Sequence, residues 1–241
     1  MTITSPQNPK LKSLRRLSRR RERERSGLFF AEGEDLLQAA RLAGRRALEG
    51  YRLAGSDLGE ELFCDVAADV LASVSMLGSG TRVIGVYRQE WSAPTGPLCV
   101  YLHGVSDPGN VGAVLRSALA FGASCVALGP GCADPYSPKA VRASMGAIFA
   151  VPVARVQHVG DLPGRLVALV ARRGEPLRND GHDRPLTLLV GAERDGLPED
   201  VLSLCEQVSH IPIASESLNA AMAATVALYE MTRPSTRVST S

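Results

Sequence analysis

From Pro97 onward the chain repeats one pattern: a short apolar run, a loop, then a helical segment. The runs are Leu98–Leu102, 124–128, 166–170, 187–190 and 208–211, each of strand length. Between them lie helical stretches with clear punctuation. Residues 110–121 are closed by Gly122, and Ser137-Pro138 reads as a cap with proline at the first helical position, opening a helix ended by Gly146. Pro198-Glu199-Asp200 opens another, its acids where the helix dipole favours them, and 218–231 is followed by Pro234. Strands that are apolar throughout must be covered on both faces, and alternating helices are the only cover this sequence offers. The pattern therefore predicts an α/β fold with a parallel sheet flanked by helices.

The first third reads as a smaller α/β unit. Leu11, Leu14 and Leu17 recur every three residues on a basic helix, 28–31 is a strand, 34–43 a helix stopped by Gly44, and 83–87 a closing strand. The stretch 89–97, with two prolines and a glycine, is the expected connector. The predicted division is 1–90, a linker at 91–97, and 98–241.

Charge separates the two parts. Residues 10–25 hold nine Lys or Arg against Glu22 and Glu24, so on a chain of net +2 the remainder carries −5. A basic block on a mildly acidic body points to a polyanionic partner. No apolar run approaches the ~20 residues of a membrane span, and the polar N-terminus lacks a secretory signal's apolar stretch, so a cytoplasmic location is expected. The five cysteines (Cys64, Cys99, Cys125, Cys132, Cys205) form no Cys-x-x-Cys pair. The four histidines (His103, His158, His182, His210) have no metal-ligand spacing either, so no metal is expected.

In such sheets, ligands bind where loops leave the carboxyl ends of strands, and three of these loops are unusual. The first, 104–110, leads into a helix whose buried stripe is Val111, Val114, Leu115, Ala118 and Leu119. Arg116 lies off that stripe between Gly112 and Ala120, small neighbours that leave room for an approach to its guanidinium. Asn110 alone also reads as the helix cap. The second loop, 191–197, is bracketed by Gly191 and Gly196 and contains Glu193. It matches neither Gly-x-Gly-x-x-Gly nor a P-loop, which disfavours a dinucleotide or a nucleoside triphosphate. The third, 211–219, runs into an alanine-rich helix with Leu218, Met222, Val226 and Tyr229 as its apolar stripe. Ser217 also reads as that helix's cap, and the alanines suit tight packing within the chain or across a dimer.

Together these loops resemble the three motifs of the SpoU (TrmH) family of SPOUT-class RNA 2′-O-ribose methyltransferases. The resemblance rests on Asp-Pro-Gly-Asn-Val-Gly…Leu-Arg-Ser-Ala at 107–118, Gly-x-Glu-x-x-Gly-Leu at 191–197 and Ile-Pro-Ile…Ser-Leu-Asn at 211–219. Asp134-Pro135-Tyr136-Ser137-Pro138, with Arg142-Ala143-Ser144-x-Gly146-Ala147, is also family-like, and the N-terminal part resembles a ribosomal-protein-like RNA-binding domain. The family pattern continues after Asn219 with valine and serine, where Ala220 and Ala221 stand here.

The resemblance implies a C-terminal trefoil knot whose loops hold S-adenosylmethionine as methyl donor, through Gly191, Ile211, Leu218, Gly196 and Ala171. It implies Arg116 as the catalytic residue, supported by Asn110, Glu193, Ser217 and Asn219. An arginine, with a pKa above ~12, is a poor base. Arg116 is therefore expected as a fixed cation for the developing alkoxide. RNA, ribosomal rather than transfer, is expected on Arg15, Arg16, Arg19 and Arg20, with Lys139 and Arg142 near the site, and the protein as a homodimer. The alternatives are a non-catalytic RNA-binding protein on the same fold and, further off, a small-molecule dehydrogenase.

Overall fold

The computed structural model describes residues 2–77, 80–179 and 185–234. Its N-terminal unit begins with two helices, α1 (Pro9–Arg16) and α2 (Arg20–Ser26), where the sequence suggested one. Leu17 caps α1, and the chain turns through 17–19 before α2 starts. Leu11, Leu14 and Leu17 are buried, so the thin stripe is the helix's grip on the core. Then follow β1 (Leu28–Glu32), α3 (Glu34–Leu42), β2 (Glu49–Leu53), β3 (Phe63–Val66), α4 (Ala68–Ala72) and β4 (Val83–Arg88). The four strands form a mixed sheet in the order β1-β4-β2-β3. The sequence reading did not anticipate β2, β3 and α4, which are short and carry polar residues among the apolar ones.

The second unit contains β5 (Leu98–Leu102), α5 (Pro108–Ala120), β6 (Cys125–Leu128), α6 (Pro138–Ala143), β7 (Val153–Arg155), β8 (Arg165–Leu169), β9 (Glu175–Pro176), β10 (Leu186–Val190), α7 (Glu199–Leu202), β11 (Gln207–His210) and α8 (Ala220–Thr232). Its seven strands run parallel in the order β7-β6-β5-β10-β8-β11-β9. All their carboxyl ends therefore open on one edge. Strands β5, β6 and β10 are buried along nearly their whole length, as their composition requires.

Helix α5 starts at Asp107, whose carboxylate accepts from the Asn110 amide, with Pro108 in the first turn. Asn110 is thus inside the helix rather than its cap. Gly112 serves helix packing rather than access to Arg116: a Cβ there would lie 2.4 Å from the Ala140 carbonyl oxygen of α6. Helix α8 is capped by Asn219, which accepts from the Ala221 and Met222 amides, and not by Ser217. Its alanines Ala220, Ala221, Ala224 and Ala227 are buried, and Thr225 is hydrogen-bonded to Ser117 of α5 at 2.6 Å. Its larger apolar stripe faces outward: Met222, Val226 and Tyr229 are exposed.

The two units share a core. Phe29 of β1 packs on Tyr136 at 4.8 Å and on Phe149 at 5.7 Å, and Tyr87 of β4 meets Phe149 edge-on. Beside this cluster Arg23 of α2 is buried against Asp134 at 2.7 Å, and also donates to the Leu17 and Ser18 carbonyls. The connector is pinned as well. Ser92 donates its amide to Val153, and Glu90 donates to the Tyr136 hydroxyl. All five cysteines are unpaired, with Cys99 and Cys125 fully buried. His182 lies outside the described residues. Among those residues, no helix is long and apolar enough to cross a membrane.

Candidate active site

At the carboxyl ends of β8 and β10 a cleft of about 230 Å³ opens. The β8 end contributes Val170 and Ala171, and the β10 end contributes Gly191 to Leu197. Ile211, Ile213, Ser217 and Leu218 come from the segment between β11 and α8, while Ala220 and Ala223 of α8 close the floor. All five residues expected around the donor (Ala171, Gly191, Gly196, Ile211, Leu218) line this one cleft. The sequence reading missed Ile213, Ala220 and Ala223. An alanine helix reads as packing, and only the tertiary arrangement shows that one end of it faces a hollow.

Gly191 is needed for its own loop. A Cβ there would lie 2.2 Å from the Gly196 carbonyl carbon, because Ala192 and Gly196 exchange backbone hydrogen bonds that fold the loop into a tight hairpin. Gly196 takes a left-handed backbone, φ 65°, to close it. The hairpin carries Glu193 to the rim.

There the three motif loops meet. The Glu193 Oε1 accepts from Asn110 Nδ2 and from Asn219 Nδ2, each at 2.6 Å, and Asn219 Nδ2 also reaches Asn110 Oδ1 at 3.1 Å. One carboxylate thus holds two carboxamides from helices α5 and α8, both charge-assisted contacts. Glu193 also borders a second hollow of about 250 Å³, formed with Gly104, Val105, Ser106, Asp107 and Asn110. It therefore stands on the wall between the cleft and a neighbouring space.

Behind the triangle, Asp107 accepts from Lys139 at 2.7 Å. The Lys139 ammonium holds the Asp107 carboxyl below the usual carboxylate range; desolvation opposes this, and the Asn110 and Gly109 amides reinforce it. Lys139 is thus engaged, and Arg142 likewise makes an ion pair with Asp35 of α3 at 2.8 Å. Arg16 and Arg19 stand exposed, Arg20 is paired with Glu24, and Arg15 bonds to the Pro6 carbonyl and Ser73.

Arg116 does not line the cleft. It is exposed on α5, six residues or about 9 Å along the axis from Asn110, and among the described residues it forms no ion pair. Helical side chains in general lean toward the helix N-terminus, the end of α5 at which the motif loop lies.

The cleft's chemistry fits a nucleoside-like group. Its floor is apolar (Ile211, Ile213, Leu218, Ala220, Ala223), and peptide groups of strand ends form its rim. Such a lining suits a flat ring edged with polar atoms. Among the described residues no lysine lines it and one arginine does, Arg194, which stands beside Glu193 and Asp195, a poor cradle for a polyphosphate.

Residues 97–229 match the model of the SpoU rRNA Methylase family, and residues 8–85 match the MRM3-like substrate binding domain. The chain belongs to the SpoU rRNA methylase family. Among family relatives, a Synechocystis protein named uncharacterized tRNA/rRNA methyltransferase is 31% identical over 99% of this chain and 96% of its own. The 23S rRNA (guanosine(2553)-2′-O)-methyltransferase of Bacillus subtilis is 27% identical over 95% of this chain and 98% of its own. The AdoMet-bound rRNA methyltransferase from Sinorhizobium meliloti superposes with a TM-score of 0.85 at 30% identity, covering 96% of this chain and 97% of that one.

Proposed function

We propose that this protein is an S-adenosylmethionine-dependent methyltransferase acting on a ribose 2′-hydroxyl of RNA, ribosomal RNA ahead of transfer RNA. The observation that carries the reading is the convergence of Asn110, Glu193 and Asn219, one residue from each motif loop, at the mouth of a cleft suited to a nucleoside. Family membership, the AdoMet-bound neighbour and the rRNA methyltransferase relatives support it.

The geometry supports the following division of labour. Ala171, Gly191, Gly196, Ile211 and Leu218 hold the donor, with Ile211 and Leu218 against the faces of its base. When bound, S-adenosylmethionine supplies a methyl group on a sulfonium, already a good leaving group. The chain's own residues must then place a weakly acidic hydroxyl in line and ease loss of its proton. Arg116 stabilises the developing alkoxide as a fixed positive charge. Glu193 and Asn219 hold Asn110, whose second Nδ2 hydrogen is left to fix the ribose, and Ser217 positions the substrate.

The N-terminal unit, 1–90, binds RNA through Arg15, Arg16, Arg19 and Arg20. Segment 91–97 joins it to the catalytic unit, 98–241, whose last residues lie outside the described ones. Lys139 and Arg142 serve RNA binding only by exchanging their acidic partners for phosphates. A trefoil knot formed by the cleft loops and a cytoplasmic location complete the reading. The exposed stripe of Met222, Val226 and Tyr229 supports a homodimer.

The test is methyl transfer from labelled S-adenosylmethionine to protein-free ribosomal RNA, comparing wild type with Arg116→Ala. Label mapping to 2′-O-methyl ribose and falling about 100-fold or more in the variant supports the reading. Full turnover by the variant removes Arg116 from the chemistry. Absence of donor binding by the wild type turns the protein into a non-catalytic RNA binder.

A further inference from the structure

The edge strand β7 ends at Arg155, on the same side of the sheet as the cleft. Its guanidinium carbon lies 3.9 Å from the centroid of Trp91, the only tryptophan of the chain. The indole is firmly set. Its ring meets Tyr136 edge-on at 5.2 Å, and the next residue, Ser92, is hydrogen-bonded to β7. Arg155 is exposed, and among the described residues it forms no ion pair. Glu24 of α2 feels the charges of Arg155 and Arg23 but is bound to Arg20 at 2.8 Å. Arg155 is therefore a spare cation, held in a fixed orientation between basic α2 and the catalytic edge.

We infer that Arg155, seated on Trp91, is a contact for an RNA phosphate that leads the strand from α2 toward the cleft. This rests on the RNA methyltransferase reading above. The position suits it: β7 is three strands from β10, about 14 Å at ~4.8 Å per step, so a strand crossing from α2 to the cleft passes over this edge. The chemistry suits it too. An arginine stacked on an aromatic ring keeps its donor edge free and loses little side-chain freedom on binding, so its fork takes a phosphate without first being ordered. A flexible lysine at this position lacks that advantage.

Trp91 makes the test direct. Protein-free ribosomal RNA is titrated into wild type and Arg155→Met while Trp91 emission is followed, and affinity is measured by anisotropy at several salt concentrations. One lost phosphate contact lowers the salt slope by roughly 0.7–0.9, so between about 50 and 200 mM salt wild type should lose about threefold more affinity than the variant. RNA should also change Trp91 emission in the wild type. Arg155→Lys keeps the charge and should restore the slope, which separates charge from any folding defect in the Met variant. Equal slopes for wild type and Arg155→Met, with Trp91 emission unmoved by bound RNA, overturn this inference and leave the methyltransferase reading standing. Failure of the wild type to bind RNA at all removes both.

Discussion

Replacing Arg23 with methionine tests whether the two units are locked together. The guanidinium is 3% exposed and its partner Asp134 7%, and Arg23 gives two contacts to that carboxylate and one each to the Leu17 and Ser18 carbonyls. Methionine fills much of the volume and satisfies none of these acceptors. Asp134 keeps only the Tyr136 amide, so a charge is left buried without its counter-ion. Removing one partner of a buried pair costs about 3–5 kcal/mol. For a chain of this size each kcal/mol moves the midpoint by roughly 2–4 °C, so Tm should fall by roughly 6–20 °C. Asp134→Asn should cost less, because Arg23 keeps its two carbonyl partners. The double variant should be more stable than Arg23→Met alone, since no unpaired carboxylate remains. Calorimetry of the four proteins decides the matter. An Arg23→Met protein within about 2 °C of wild type, less than about 1 kcal/mol, refutes the reasoning.

Three further outcomes are expected. Gly191→Ala pushes a methyl into the Gly196 backbone and should reduce S-adenosylmethionine affinity at least tenfold in calorimetric titration while leaving Tm within a few degrees, as the loop is at the surface. Asn219 has two tasks that substitutions can separate. Asn219→Asp keeps the cap acceptor for α8 but sets a carboxylate against Glu193, so Tm should hold while methyl transfer collapses, whereas Asn219→Ala should lose both, with about 1 kcal/mol from the cap. Tyr229→Glu, with Met222→Glu, should shift the mass seen by light scattering from dimer to monomer; a monomeric wild type rules out the homodimer.

Much of this was legible in the sequence because it depends on local signals. The β5, β6 and β10 strands announce themselves by apolar runs, and the start of α6 by Ser137-Pro138, whereas α5 begins at Asp107, three residues before the expected cap Asn110. The donor residues that the family resemblance implied fall along one cleft, because loop position after a strand is set by topology. What the sequence did not disclose depends on long-range choices. Arg23 sits in a run of exposed arginines and nothing local marks it as buried. The outward stripe on α8 looks like a core face, and only the competing alanine face, small enough to let α5 approach, decides which side turns inward. Strands β2 and β3 are held by neighbours rather than by their own pattern.

The strand order has a consequence for how the chain is made. Leu98 of β5 pairs with Leu186 of β10, and between them the ribosome must first produce β6, β7, β8 and β9. Until β10 emerges, β5 presents a long apolar rim with no neighbour on that side, and β8 has none on its own. The N-terminal sheet, whose strands all precede residue 90, can close early. Completion of the large sheet waits on two late strands, β10 at its centre and β11, which joins β9 to β8. Such non-local pairing is slow to form, so this protein should spend the end of its synthesis as a finished head on an unfinished body, dependent on chaperones for that interval.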